Sequence, residues 1–581
     1  MTGIAIRRRD RAAAGAFAAA LHPVLRRVYA ARGLSRDEDL DLSLRGLLPV
    51  SSLAGAEAAA RLLAAHRGAG RVLVVGDFDA DGATSSALLV RALRALRFAH
   101  VDFLVPNRFR FGYGLTPEIV DLGAARRPTL IVTVDNGISS IEGAERAHAL
   151  GIAVLVTDHH LPGSVLPRAE VIVNPNLPSS TFGSSALAGV GVAFYVVAAL
   201  AQLLEQRDFN PADLLDLVAL GTVADVVPLD RNNRILVAQG LRRIRAGRCV
   251  PGIGALLQDA GRCAAQICAA DLGFAVAPRL NAAGRLTDMS VGINCLLADD
   301  RVAAARLAAQ LSKLNAERRS IEQRMQLEAI DIAAAIHPRA DGAESIGLCL
   351  YEETWHQGVV GLVAGRIKDR LHRPVIAFAR AEDGSLRGSA RSIAGVHIRD
   401  ALYSIAASHP GLIAKFGGHA MAAGLSLAME NLPAFRAAFA AEVAARADAE
   451  MLAEVIYSDG PLEPAELSLD TARALAAGGP WGQGFPEPVF DGEFTVLESR
   501  IVGGRHLRLK LRPAALGAAE AGAAEVLEAI AFGYLDGAAP VAAPSPGARI
   551  AAAYRLQVNA YGRRERLQLN CRHLGPSAPL C

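Results

Sequence analysis

The sequence predicts an α/β chain with a doubly wound parallel sheet, a long connecting helix, a second, smaller α/β domain and a C-terminal β-barrel. Two patterns support this prediction. From about residue 51 to 230, short apolar runs alternate with helical patterns, which is typical of a parallel sheet. After about residue 455 the apolar period changes to two, which is typical of half-buried strands. A chain of 581 residues is also too long for a single core, so several domains are expected.

Apolar runs and helical spacings locate the elements of the predicted sheet domain. Strands are predicted at 72–75, 101–105, 130–134 and 153–157, and helices at 56–65 and 84–96. Residues 1–50 are expected to form an N-terminal helical segment. The charge-free stretch 186–204 has the length of a membrane span. It is rich in Ala and Gly and interrupted by polar groups, so a buried helix is predicted and no membrane contact is expected.

Acidic side chains follow three of the predicted strands. They are Asp77, Asp79 and Asp81 after the first strand, Asp135 after the third, and Asp158 with His159 and His160 after the fourth. In an open parallel sheet the ligand crevice lies at the carboxyl ends of the strands, so these side chains should meet at one edge. Asp225, which ends another apolar run, is a plausible further contributor.

Carboxylates and imidazoles at one edge favour a site for two metal ions. Crowded carboxylates raise one another's pKa unless a cation lies among them. Oxygen ligands without a nearby thiolate favour Mn²⁺ or Mg²⁺ over Zn²⁺, and carboxylates with one imidazole fit two-metal hydrolysis. Asp135 is the candidate bridging ligand, and Asp79 and Asp81 are expected to bind separate ions. For the stretch 77–81 alone, an acidic surface turn is the alternative interpretation.

A long helix is predicted from residue 302 to 336 because the stretch has few helix breakers and repeats apolar residues at helical spacing. Its charged side chains are expected to be solvated, namely Arg318, Arg319, Glu322 and Arg324.

The second lobe, about 341–447, has strand-like runs at 346–350 and 375–378 and a Gly-Ser-Ala-Arg turn at 388–391. Ser389 and Arg391 beside a glycine suit phosphate capture by backbone amides and a guanidinium. The alternative for Arg391 alone is a surface arginine.

Alternating leucines and basic residues mark the C-terminal region, about 455–575. Leu507, Leu509 and Leu511 alternate with basic side chains, and two later stretches repeat the pattern. Several short strands of this kind predict a small barrel with a basic face, which suits a nucleic-acid backbone. An ordinary solvated strand face is the alternative.

The ordered motifs resemble the DHH phosphoesterase superfamily. They are Asp-x-Asp-x-Asp-Gly at 77–82, Asp-Asn-Gly at 135–137, Asp-His-His at 158–160, and Asp225. The runs 355–361 and 417–424 resemble the companion DHHA1-type domain of that superfamily. The runs 106–108 with 112–114, and 279–285, resemble the RecJ family of single-strand-specific exonucleases. The resemblance covers most of residues 20–570.

The resemblance implies a metal-dependent 5′→3′ exonuclease that hydrolyses single-stranded DNA to mononucleotides in DNA recombination and repair. It also implies an OB-fold for the barrel. The implied domains are an N-terminal helical segment, a DHH catalytic domain, a helical connector, a DHHA1-type substrate-binding domain and an OB-fold nucleic-acid-binding domain, at 1–50, 51–230, 231–340, 341–447 and 455–575. The implied cofactor is a pair of divalent ions, Mn²⁺ or Mg²⁺.

The site residues are carried over position by position. The metal ligands would be Asp77, Asp79, Asp81, Asp135, Asp158, His159 and Asp225. His160 would position or protonate the leaving oxygen, and Asp135 would be catalytic as well as a ligand. A 5′-phosphate pocket would involve Arg108, Arg279, Asn281, Ser389, Arg391 and His419.

Composition says little about partners. The net charge of +3 is small, and the seven cysteines form no C-x-x-C pair, which favours a reducing compartment, here the cytoplasm. Single-stranded DNA is the expected substrate partner. A RecQ-type helicase and a single-strand-binding protein are expected from the resemblance alone, and a monomer is expected.

Two other functions remain open from the sequence. A small-substrate relative, such as a pyrophosphatase, a short-oligonucleotide ribonuclease or a cyclic-dinucleotide phosphodiesterase, would need only the two lobes and not the barrel. A non-catalytic replication scaffold should have lost metal ligands, whereas every expected ligand position is occupied here.

Overall fold

The structure is a computed structural model that describes residues 4–10, 16–336, 346–514, 526–536, 542–559 and 564–576. The chain divides into two compact units. Residues 36–317 and 478–487 form the first, here called the sheet unit. The described residues of 1–35, 318–477 and 488–581 form the second, here called the barrel unit.

The start of the chain differs from the expected helical segment. Its described residues contain strand β1 (Ala5–Arg8), helix α1 (Pro23–Ala30) and three 3₁₀ turns at 37–40, 44–46 and 50–52. The expectation of a helical segment over 1–50 is therefore wrong except at α1. Local periodicity could not reveal β1, because its partner strand lies more than 400 residues later in the chain.

The sheet unit contains a parallel sheet with helices between its strands. Its elements are α2 (Ala56–Ala65), β2 (Arg71–Gly76), α3 (Ala80–Ala95), β3 (His100–Leu104), α4 (Pro117–Ala124), β4 (Leu130–Val134), α5 (Ile141–Ala149), β5 (Ala153–Thr157), β6 (Val171–Val173), α6 (Gly189–Leu203) and α7 (Leu215–Ala224). The five strands are all parallel, in the order β3-β2-β4-β5-β6. This confirms the predicted sheet and adds β6, which is only three residues long.

The central strands are apolar because both faces of the sheet are covered. Every residue of β4 is buried, and in β2 only Arg71 is exposed. Continuous apolar runs of this kind are typical of parallel strands with helices on both sides. Helix α6 is almost wholly buried, as predicted for the charge-free stretch. Within the described ranges, no single helix is long and apolar enough to cross a membrane. Only the bent pair of Leu44–Ser52 and α2 reaches that length and apolar content, and it does so when the two segments are taken together.

A helical region follows the sheet. It comprises α8 (Arg231–Arg245), α9 (Pro251–Asp259), α10 (Ala269–Asp271), a π-helical turn (Leu272–Val276), α11 (Ala277–Leu286), α12 (Ser290–Leu297) and α13 (Arg301–Ile336). Helix α13 has 36 residues, which confirms the predicted long helix.

The barrel unit first forms a mixed sheet with flanking helices. Its elements are β7 (Leu348–Tyr351), α14 (Val360–Leu371), β8 (Val375–Arg380), β9 (Leu386–Arg391), α15 (Ile398–Ser408), β10 (Lys415–Gly418), β11 (Ala422–Leu427) and α16 (Leu432–Arg446). The strand order is β10-β11-β9-β8-β7, and only β7 and β8 pair in parallel. The turn expected at 388–391 is wrong, because these residues form the end of β9 between two partner strands.

The charged face of α13 is not solvated throughout. Arg318 and Glu322 are buried, with 8% and 6% of their surface exposed. Arg366 on α14 donates from Nε to Glu322 Oε1 at 2.9 Å. The expectation of a solvated face is thus wrong at these two positions, because α14 packs here and supplies a charged partner.

The C-terminal part of the barrel unit contains β12 (Val455–Ser458), α17 (Leu469–Ala477), β13 (Phe490–Val502), β14 (His506–Pro513), β15 (Leu527–Ala531), β16 (Arg549–Asn559) and β17 (Arg566–Pro576). Strands β13-β14-β15-β17-β16 close into a barrel in which β15 and β17 are parallel. A five-stranded closed barrel with this order is the OB-fold arrangement. Leu507, Leu509 and Leu511 are buried while Arg508 between them is exposed, which confirms the predicted alternation.

The beginning of the chain belongs to this unit. Strand β1 pairs in parallel with β12. Arg8 contacts Asp491 at 2.7 Å, and the almost fully buried Arg32 contacts Asp459 at 2.6 Å. These ion pairs attach residues from the first 35 positions to the barrel region.

Candidate metal centre

The sheet order brings three strand ends to one crevice. Strand β2 lies between β3 and β4. The connection after β2 therefore leads to one side of the β2–β4 pair, to β3, and the connection after β4 leads to the other side, to β5. Such a reversal opens a ligand crevice at the carboxyl ends of the strands. Asp77 directly follows β2, Asp135 follows β4 and Asp158 follows β5. The predicted meeting of these acids at one edge is confirmed.

The acidic loop after β2 is held by its own hydrogen bonds. Asp79 is the N-cap of α3, and its Oδ1 accepts hydrogen bonds from the amides of Asp81 at 2.9 Å and Gly82 at 3.0 Å. Asn281 on α11 accepts a bond from the amide of Ala80 at 2.8 Å. The predicted substrate-binding residue Asn281 therefore holds the loop that carries the carboxylates.

The side chain of Asp81, a residue of α3, contacts the N-terminus of α6. Its carboxylate accepts hydrogen bonds from the amides of Gly189 at 2.6 Å and Val190 at 3.0 Å. Burial and then the charge of Asp79 raise the pKa of Asp81 to about 7. Glycine is required at position 189, because a Cβ there would lie 2.5 Å from the Cβ of Asp135.

Asp135 and His159 lie at the middle of the cluster. Asp135 has a left-handed backbone, with φ of 61°. Its Oδ1 is buried, has no hydrogen bond, and is 3.1 Å from His159 Nε2. His159 Nε2 is also 3.5 Å from Asp225 Oδ2. Two ligands of one octahedral ion at about 2.1 Å each are about 3 Å apart, so the Asp135–His159 spacing suits a shared ion.

Three overlapping groups of side chains have ligand atoms within 4.8 Å of one another. They are Asp135 with His159 and His160, Asp81 with His159 and Asp225, and Asp77 with Asp79 and Asp135. Asp135 occurs in two of the groups, as a carboxylate shared by adjacent ions would. His159 also occurs in two, but its Nε2 has one lone pair and can bind only one ion. The carboxylate-rich donor set fits Mg²⁺ or Mn²⁺.

Burial makes the cluster unfavourable for bare negative charge. It raises the pKa of Asp77, Asp135 and Asp225 well above the usual range. The charge of Asp79 raises all three pKa values further, and the charge of Asp81 raises those of Asp135 and Asp225. Protons and a bound cation therefore compete for these carboxylates. A site with this property is built to receive positive charge.

Asp158 supports the second histidine of the motif. Its Oδ1 is 2.7 Å from His160 Nδ1, and its Oδ2 accepts a bond from the amide of Ile138 at 2.9 Å. Burial opposes the charged forms of both groups, but this ion pair lowers the pKa of Asp158 and raises that of His160 to about 9. Among the described residues, no group of candidate ligands includes Asp158. Its predicted role as a ligand stays a prediction.

Arg108 and Arg279 lie in different surroundings within the sheet unit. The guanidinium of Arg108 lies over the ring of Phe78, 4.4 Å from its centroid, and burial lowers its pKa despite nearby Asp77. Arg279 instead donates to Ser312 Oγ at 2.8 Å and lies 3.7 Å from Asp259. Arg108 thus lies beside the carboxylate loop, whereas the side chain of Arg279 contacts α9, α13 and the carbonyl of Ala275 in the π-helical turn.

Ser389, Arg391 and His419 come together in the barrel unit. Arg391 Nη1 donates to Ser389 Oγ at 3.1 Å, and Arg391 pairs across the sheet with Ala422. The amide of His419 donates to the carbonyl of Ala422 at 2.8 Å. At Gly361, in the first turn of α14, an added Cβ would lie 2.8 Å from Ser389 Oγ. A guanidinium, a hydroxyl and a helix N-terminus so placed suit a phosphate group.

Sequence reasoning named the motif that contains Tyr113 but gave the residue no role. Its hydroxyl donates to the carbonyl of Asp135 at 3.2 Å and is 3.2 Å from His160 Nδ1. Asn136 was also given no role. Its Nδ2 donates to the carbonyls of Val75 at 3.1 Å and Val134 at 2.9 Å, which links the ends of β2 and β4. In the sequence, the glycines on both sides of Tyr113 are the feature that could have indicated a closely packed side chain.

Three family models match the chain in the expected order. The DHH family, N-terminal domain, matches residues 71–222. The DHHA1 domain matches 345–445, and the RecJ OB domain matches 458–573. Fold, carboxylate cluster and domain order together define a DHH phosphoesterase.

Comparison with individual proteins shows which family within this superfamily the chain belongs to. The chain is 52% identical over 569 residues to the single-stranded-DNA-specific exonuclease RecJ of Dickeya dadantii, with 96% of each chain covered. The Thermus thermophilus RecJ structure in complex with Mn²⁺ matches with a TM-score of 0.79 and 32% identity, over 96% of this chain and 77% of that one. The structure of the same protein in complex with Mg²⁺ matches with a TM-score of 0.73 and 31% identity, over 96% of this chain and 75% of that one. The chain belongs to the RecJ family of single-stranded-DNA-specific exonucleases.

Proposed function

We propose that this chain is a metal-dependent exonuclease that hydrolyses single-stranded DNA from the 5′ end to mononucleotides, in DNA recombination and repair. The observation that carries the proposal is the convergence of Asp77, Asp79, Asp81, Asp135, His159 and Asp225 at the ends of parallel strands. The sequence match to RecJ relatives over nearly the full chain supports the substrate class.

The side chains divide into ligands and a proton donor. Asp81, Asp135, His159 and Asp225 would hold one ion, and Asp77, Asp79 and Asp135 would hold the other. Two bound divalent ions supply a water nucleophile of lowered pKa and neutralise charge on the phosphate.

His160 is placed to act on the leaving oxygen. It carries a proton at neutral pH because Asp158 holds its Nδ1, and so it can donate from Nε2. Tyr113 contacts the same ring and limits its orientation.

Substrate selection would come from the barrel unit. Ser389, Arg391 and His419 would bind a terminal 5′-phosphate, and the basic strand face of the barrel would bind the backbone further along the strand. The barrel argues against a dinucleotide or pyrophosphate as the main substrate, because such molecules have no extended backbone to lie along its basic strand face. The occupied ligand positions argue against a non-catalytic scaffold.

Cellular context completes the proposal. We infer a monomer in the cytoplasm that works with a RecQ-type helicase and a single-strand-binding protein. The six cysteines among the described residues are free thiols, which agrees with a reducing compartment.

End-labelled DNA tests the proposal directly. Single-stranded and duplex DNA, each labelled at either end, are incubated with Mn²⁺, Mg²⁺ or chelator. We expect mononucleotide release from single strands only, starting at the 5′ end, and none with chelator. Equal rates on duplex DNA, or faster hydrolysis of dinucleotides than of long strands, would contradict the proposal.

A further inference from the structure

Phe274 has an unusual position on the sheet unit. It is 85% exposed, the highest value among the large apolar side chains that the structure describes. One exposed apolar side chain is ordinary by itself. Phe274, however, lies in the π-helical turn Leu272–Val276 between α10 and α11. Such turns are rare in proteins and occur mostly at functional sites.

The turn that carries Phe274 packs against α7, and helix α11, which follows it, packs against α3 and the carboxylate loop. At Gly273 an added Cβ would lie 3.2 Å from Val223 Cγ1 on α7. Val223 precedes Asp225 by two residues, a rise of about 3 Å along a helix. At the other end, Asn281 accepts a hydrogen bond from the amide of Ala80 in the carboxylate loop. Phe274 is thus carried by a segment that packs against two elements bearing candidate ligands.

Arg279 of the following helix holds the turn that carries Phe274. Arg279 Nη1 donates to the carbonyl of Ala275 at 2.6 Å, one residue from Phe274. The turn thus presents an exposed ring on a fixed backbone, and such a ring can stack on a base. Base stacking on an aromatic side chain tolerates every base, which a nuclease that removes nucleotides in succession requires.

We propose that Phe274 is a base-stacking contact for the single-stranded DNA substrate at the edge of the metal centre. The proposal rests on the proposed function and adds a subsite to it. A base of the bound strand packs on the Phe274 ring, while the metal ligands hold the scissile phosphate. Phe274 contributes to binding the strand and takes no part in the chemical step.

Substitution at this position separates binding from chemistry. Phe274→Ala should raise KM for single-stranded DNA by roughly 5- to 100-fold, the loss that corresponds to one stacked base. The kcat should change less than about 2-fold. Phe274→Trp should restore KM, and Phe274→Leu should resemble the alanine variant. Tyr403→Ala, at a 68% exposed aromatic residue of α15, is the matched control and should leave KM unchanged.

A ladder of oligonucleotides with one abasic position each identifies the stacked base. The original protein should bind one ladder member markedly more weakly, and Phe274→Ala should be insensitive to the same position. Anisotropy in chelator measures binding without hydrolysis, and an unchanged melting temperature confirms that the variant is folded.

The outcomes distinguish the stacking contact from the activity. Two results would overturn the stacking contact and leave the proposed function intact. The first is an original protein that degrades single strands together with a Phe274→Ala variant that has the same KM. The second is an alanine variant that binds every ladder member more weakly by the same factor and remains sensitive to the same abasic position. If the original protein neither binds nor degrades single strands, the proposed function fails and the stacking contact fails with it.

Discussion

Asp135 Oδ1 and His159 Nε2 face each other at 3.1 Å across the ends of β4 and β5, and the aspartate oxygen is buried without a hydrogen bond. Leaving a buried carboxylate oxygen unsatisfied is costly. A divalent ion between the two atoms would satisfy both at once. The pair would thus give the first histidine of the Asp-His-His motif and the aspartate of the Asp-Asn-Gly motif a common role as ligands.

Asp135→Ala should abolish hydrolysis and leave single-strand binding largely intact. The variant removes an oxygen that belongs to two groups of candidate ligands. We expect a fall in kcat of more than about 100-fold, because loss of an outer-shell partner alone costs about 10–100-fold. Asp121→Ala, at a half-exposed acid of α4, is the control and should be fully active. Retained cleavage by Asp135→Ala would exclude this cluster as the active site.

Metal should stabilise the protein more at high pH than at low pH. The folded protein holds the pKa of Asp81 at about 7, above its value of about 3.9 in an unfolded chain. Its contribution to stability is therefore complete below about pH 4 and is lost as the pH rises through 7. We expect the melting temperature in chelator to fall between pH 5 and 8, and Mn²⁺ to reduce that fall. Parallel curves with and without Mn²⁺ would argue against metal binding at Asp81.

The alkaline limit of activity should depend on Asp158. Burial would lower the pKa of His160, but the hydrogen bond and charge of Asp158 raise it to about 9. If His160 is the proton donor, kcat/KM falls as the pH rises through about 9. Asp158→Asn should shift this alkaline fall in kcat/KM to a pH lower by about 1–2 units, because a hydrogen bond to a charged group contributes about 1.5–3 kcal/mol. An alkaline fall that does not move in the asparagine variant would exclude this role for the pair.

Two arginines on the barrel face should set part of the salt dependence of binding. Arg508 on β14 and Arg572 on β17 are both exposed, beside buried neighbours in each strand. Replacing both with Ala should weaken binding to any sequence. The slope of log affinity against log salt should become shallower by up to about 1.4, since each single-strand phosphate contact contributes about 0.7.

Point variants are the better test of the barrel. Cutting the chain after Ala447 would also remove the partners of β1 and Arg8, so the rest of the barrel unit would be left incomplete. Arg168→Ala, at an exposed arginine of the sheet unit, is the control. An unchanged slope in the double variant would show that these two side chains do not contact the backbone.

Arg32→Ala should destabilise the barrel unit strongly. The side chains of Arg32 and Asp459 are 3% and 1% exposed, and two hydrogen bonds of 2.6 and 3.1 Å join them. Removing one partner leaves a buried charge, which costs about 3–5 kcal/mol of unfolding free energy. Chemical denaturation measures the loss. Replacing Arg32 and Asp459 together by Leu should cost less, and an equal cost for both variants would contradict this account.

The strands and the carboxylate positions could be predicted from local pattern. Strands β4 and β5 begin and end where the apolar runs do, and α2 matches its predicted bounds. Asp135 and Asp158 follow these runs directly, and parallel connectivity alone brings their strand ends to one edge. The alternation of Leu507, Leu509 and Leu511 likewise predicted which face of β14 is buried.

Tertiary structure decided the features that depend on distant partners. Local pattern could not show that β1 pairs with β12, that Arg318 and Glu322 are buried beside Arg366, or that residues 388–391 form a strand. Each depends on a segment far away in the chain that covers or pairs with it. By itself the sequence determined where strands end in acids, because period and side-chain type are local properties. Which oxygen of Asp135 faces His159, and which histidine Asp158 holds, was decided only when the folded sheet brought those groups within 3.1 and 2.7 Å.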